Sequence, residues 1–102
     1  PLPAGKPPAG MEMPKTVEEM IKKADDFHAS GKTHLEKSKA ASDNATWIDE
    51  GMKALSDFKS AQILYTAAQE KLDDSGETVP RALVEKFRIN MQGLVMARKQ
   101  VP

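Results

Sequence analysis

Gly31-Lys32-Thr33 reproduces the tripeptide that closes a phosphate-binding loop. The complete loop needs an earlier Gly, five positions before this one, so that consecutive backbone amides can curl around phosphate oxygens. It also needs a strand before it and a helix start after it. Asp26 stands at that earlier position, and its carboxylate would repel the anion. Gly31 lies instead within a long helical pattern, on its apolar phase. Nucleotide binding is therefore not expected, and Gly31 must have a packing role that offsets the roughly 1 kcal/mol a helix-interior Gly costs against Ala.

Metal chemistry has thin support. Met11 and Met13 have the M-x-M spacing that soft thioethers use for Cu(I). His28 and His34 are six residues apart, which on a helix places them about 120° apart around the axis and about 9 Å along it. They cannot share one ion. There is no cysteine, so thiolate ligands and disulfides are both absent. The weak copper set is Met11, Met13 and His28, and a carrier pocket around His28, Trp47 and Tyr65 is the small-ligand alternative. The expectation is that the chain uses no cofactor.

Nucleophilic catalysis fares no better. Ser56, Ser60, Asp57 and His28 offer no nucleophile-and-base spacing that a helix could align. The expectation is a protein that is not an enzyme.

The bulk composition agrees with a small helical module. The 102 residues carry fifteen bases and fifteen acids. A neutral chain has no general attraction to nucleic acid, and none is expected as a partner. No apolar run approaches the roughly 20 residues of a transmembrane helix. The first ten residues hold four Pro and two Gly, which suits an extended tether over 1–15 rather than a packed element. Such a tether behind a non-Met start is the pattern of a mature exported protein, so the expected location leans periplasmic or extracellular.

From residue 16 the pattern is helical. Thr16-Val-Glu-Glu19 is a capping box. Apolar or small residues then recur at helical spacing over about 17–41, again over 46–74 with Gly76 as terminator, and again over 80–100 behind Pro80. Short connections between three long helices predict an all-α, up-down-up antiparallel three-helix bundle. Residues 43–74 carry seven acids against three bases, net −4, and residues 75–102 two acids against five bases, net +3, which favours the second and third helices as neighbours.

In an antiparallel hairpin turning near residue 43, Gly31 faces Phe58 or Leu55 and Gly51 faces Leu35, each Gly admitting a bulky neighbour. Helix 3 directs Leu83, Val84, Phe87, Asn90, Met91, Leu94 and Val95 inward. That leaves Ala82, Ile89 and Met96, spaced by seven, as a second seam toward solvent, with Gly93 beside it. On helix 2, Ile63 and Ala67 point away from the core in a stretch without charge. These six residues form the expected contact surface for a protein partner or a second copy, Ala67 and Gly93 allowing close helix approach. The alternative is that the N-terminal segment with Leu2, Met11 and Met13 folds over this side.

Overall fold

The computed structural model describes residues 12–102. It contains three helices, α1 (Val17–Ala40), α2 (Asn44–Asp74) and α3 (Arg81–Lys99), and no strand among the described residues. Most of the expected Pro-rich arm, with Leu2 and Met11, lies outside them.

Each helix end has a local cause. Thr16 Oγ1 accepts the Glu19 amide at 3.1 Å and donates to Glu19 Oε1 at 2.9 Å. Asp43 Oδ1 accepts the Thr46 amide at 2.8 Å, so α2 begins at Asn44, two residues before the start expected near 46. That same amide holds the Asp43 carboxyl below its usual range. At the far end Gly76 has φ 73°. The Glu77 amide bonds the Leu72 carbonyl at 2.9 Å and the Gly76 amide bonds Asp73 at 3.0 Å. This pairing closes a helix at a left-handed residue, a conformation Gly adopts without steric cost. Pro80 caps α3 with no side-chain bond.

α1 packs on α2 over most of its length, whereas α3 lies mainly on α2 and only sparsely on α1. Residues later in α1 meet residues earlier in α2. Tyr65 bonds Asp25, Asp57 bonds Ser30, Glu50 bonds His34, and the Trp47 carbonyl bonds Ser38. The core divides in two. One cluster gathers Met20, Ala24, Ala61, Leu64, Tyr65 and Leu83, with Met13 and Phe27 against it. The other gathers Leu35, Ala54, Phe58, Leu94 and Ala97.

Phe58 is wholly buried and occupies the space that two glycines leave. A Cβ on Gly31 would meet its ring at 3.0 Å and one on Gly93 at 2.6 Å. Gly93 thus corrects the outward placement expected from helical angles, because it faces the core and lets α3 settle onto the ring. Gly51 also departs from expectation: its neighbours are Gln100 Cβ at 3.0 Å and Ser38 Oγ at 3.3 Å, not Leu35.

The inward Gly93 and Ala97 have a consequence for the rest of α3. The helix rolls so that Leu83, Asn90, Leu94 and Ala97 are buried, while Val84, Met91 and Val95, expected in the core, are exposed at 46, 39 and 47 %. Ala67 is a second correction. It belongs to the first core cluster, against which Met13 also packs, and lies with Met13 and Met20 about one surface hollow.

Candidate functional site

The polar side chains most capable of chemistry are engaged with one another. Asn90 is fully buried. Its Nδ2 donates to the Phe58 carbonyl at 2.9 Å and to Gln62 Oε1 at 3.1 Å. With Nδ2 committed as donor, Oδ1 accepts, so His28 Nδ1 carries the proton across the 2.9 Å bond between them. One amide therefore ties α1, α2 and α3 together. His28 also meets the Phe58 ring edge to face at 5.4 Å between centroids.

His34 is half-buried between two carboxylates of α2. Its Nδ1 lies 2.5 Å from Glu50 Oε2 and its Nε2 3.9 Å from Asp57 Oδ2. The bond from His34 lowers the Glu50 pKa below the ordinary carboxylate value. Ser30 Oγ donates to Asp57 at 2.6 Å, so this serine hydroxyl is bound to a carboxylate rather than to an imidazole base.

At the other end Asp25 accepts from Tyr65 Oη at 2.5 Å and from Lys86 Nζ at 2.7 Å, again joining three helices. Burial, then the Asp25 bond, pushes the Tyr65 phenol well above its usual pKa. No ion pair joins α2 to α3 among the described residues. The acidic-beside-basic arrangement expected from the charge counts is thus not what holds that contact.

The carrier pocket around His28, Trp47 and Tyr65 is not assembled. Trp47 and Tyr65 sit on the same helix 18 residues apart, about 27 Å along its axis. Trp47 Nε1 donates to Gln100 Oε1 at 2.7 Å, while Tyr65 is bound to Asp25. Of the copper set, Met11 lies outside the described residues, Met13 packs on the first core cluster and His28 is bound to Asn90. Among the described residues no three His, Asp or Glu side chains converge on one point.

What remains uncovered is the outer side of α3. Ile89 and Met96 are exposed at 44 and 42 % and Ala82 is exposed as well. Val84, Met91 and Val95 are exposed on the opposite flank of α3, across the ridge of Arg88 and Gln92. From Ile89 to Ala97 the helix carries no charge. Ile63 is half-buried and shares a shallow apolar hollow with Met52, Leu55 and Val101. The six expected surface residues therefore divide: Ile63, Ala82, Ile89 and Met96 face outward to varying degrees, and Ala67 and Gly93 do not. The signal for the second flank was present in the Val84, Met91, Val95 spacing, but it reads as core until Gly93 and Ala97 are known to be inside.

No protein-family model, no curated protein and no solved structure matches this chain.

Proposed function

We propose that the protein is a non-catalytic helical interaction module. Its three helices run up-down-up, and the outer face of α3, with the Ile63 flank of α2, is the surface that meets a second copy or another protein. The observation that carries this reading is the exposure of Val84, Ile89, Met91, Val95 and Met96 on one 19-residue helix. A single exposed apolar side chain is ordinary; here two stripes, Ile89 with Met96 and Val84 with Met91 and Val95, flank the polar ridge of Glu85, Arg88 and Gln92, and exposed apolar surface rimmed by polar residues marks a contact site. The absence of charge from Ile89 to Ala97 adds to it, since contact centres are depleted in charged residues.

The mechanism is helix-on-helix burial. Each Å² of apolar surface removed from water contributes about 25 cal/mol, set against the lost freedom of two bodies becoming one. Photo-crosslinking in the source cells tests it. A photoreactive residue at Val95 is expected to give a discrete adduct larger than the monomer, and the same probe at Asp49, an exposed acidic position on α2, none. Failure of the Val95 probe to form an adduct would overturn the reading.

A further inference from the structure

The groove between α1 and α3 narrows what the partner must be. Two polar links join these helices: Lys86 to Asp25 at 2.7 Å and His28 to Asn90 at 2.9 Å. Beyond them, toward the C-terminal ends of both helices, Leu35, Ile89, Gly93 and Met96 line an open trough of ≈ 230 Å³ with the Phe58 ring behind it. Small-molecule pockets usually hold about 300–1,000 Å³ and enclose their ligand. This trough is smaller and open along one side, a shape that suits side chains projected from a helix lying over it.

Its walls repeat with one period. Lys32 and Lys39 on α1 are seven residues apart, as are Ile89 and Met96 on α3, about 10.5 Å in each case. A third helix laid between them presents its own side chains at that interval. The charge is one-sided as well. On the two helices that form this end of the groove, Lys32, Lys37, Lys39, Arg98 and Lys99 stand against Glu36, and the acids at this end, Asp43, Asp49 and Glu50, belong to α2 and its N-cap. Among the described residues no carboxylate lies within ion-pair distance of Lys32 or Lys39.

We infer that the trough seats an amphipathic helix of a different protein, with apolar anchors between Leu35 and the Ile89–Met96 wall and acidic flanks facing Lys32 and Lys39. The inference rests on the interaction reading above and specifies its partner. A second copy fits less well: its exposed apolar residues on α3 lie among Arg81, Lys86, Arg88, Arg98 and Lys99 with Glu85 alone against them, and on α2 Met52 and Ile63 stand eleven residues apart with Lys53, Asp57 and Lys59 between them and Asp49 a turn before.

Two designed peptides test this against the full chain by calorimetric titration. Both carry Leu at i, i+3, i+4 and i+7 over four turns; one is flanked by Glu, the other by Lys. The Glu peptide is expected to saturate at one per chain and to weaken as salt is raised. Lys32→Glu with Lys39→Glu should weaken it roughly tenfold, since two exposed charge pairs are reversed, and Met96→Glu should abolish it. These positions are exposed, so circular dichroism of the variants is expected to match wild type. Equal binding of both peptides, no binding of the Glu peptide, or indifference to the substitutions would overturn the assignment. So would a photo-adduct of twice the chain's mass. If the adduct persists while the Glu peptide fails, the groove assignment falls alone; loss of the adduct removes the interaction reading itself.

Discussion

The Phe58 ring lies so close to Gly93 that a Cβ there would come within 2.6 Å of its Cε1 atom. Gly31 approaches the same ring from α1 at 3.0 Å. One aromatic side chain of α2 thus sets how near both other helices come, and it fixes the rotation of α3 that brings Val84, Met91 and Val95 to the surface.

Replacing Gly93 by Ala is therefore expected to destabilise. Helix propensity would gain about 1 kcal/mol, but overpacking a filled core costs about 1–3 kcal/mol. The clash meets a ring with no exposed surface. A lower melting temperature for Gly93→Ala, with partial recovery in the Phe58→Leu background, is the expected result. A rise in melting temperature would show that the ring moves freely.

Asn90 supplies a separate test of the α3 seat. Asn90→Leu removes the partner of His28 Nδ1 and of Gln62 and leaves them in a part-buried site. Stranded polar groups of this kind cost about 1–3 kcal/mol each. Urea unfolding should show a loss in that range. Asn90→Asp keeps the acceptor for His28 but turns a buried carboxylate oxygen toward the Phe58 carbonyl and Gln62 Oε1, so at neutral pH it should be at least as destabilising.

Tyr65 predicts a loss of stability in base. Burial and Asp25 raise its folded pKa above the ordinary value of 10.0. A group raised in this way contributes stability that is complete below pH 10 and is lost as pH rises toward the folded value. Wild type should therefore lose stability between pH 10 and 11.5 faster than Tyr65→Phe, measured by urea unfolding at each pH. Parallel curves would contradict the shift.

Glu50 gives the opposite sign. Its pKa is lowered by the bond from His34. Its contribution is present above the usual value of 4.5 and is lost as pH falls through the lower folded value. Glu50→Gln should be less stable than wild type at pH 6, and the difference should shrink toward pH 3. A difference independent of pH would assign Glu50 a role other than its charge.

The helices were legible in the sequence because each signal is local. The Thr16 cap, the Gly76 terminator and the 3–4 spacing act within a turn or two of themselves. Exposure of Ile89 and Met96 was readable for the same reason. The facing of α3 was not, because it depends on Phe58 of another helix fitting against Gly93. Helical angles count an apolar residue toward the core and a Gly toward neither side, so they weighed Val84, Met91 and Val95 above the two small residues that dock. Ala67 was misplaced because helical angles on α2 do not show that it joins the cluster of Met20, Ala24 and Leu83 from the other two helices. The His34–Glu50 and Asp25–Tyr65 bonds link residues far apart in the chain, and no spacing rule connects them.

Sedimentation velocity of the protein isolated from its own source, beside Ile89→Glu with Met96→Glu made in the same cells, tests the central claim most directly. The account predicts that wild type sediments as a complex larger than one chain and that the double variant, equally helical, sediments as a monomer. A wild type that sediments as a single chain, or a double variant that retains the larger species, would contradict it.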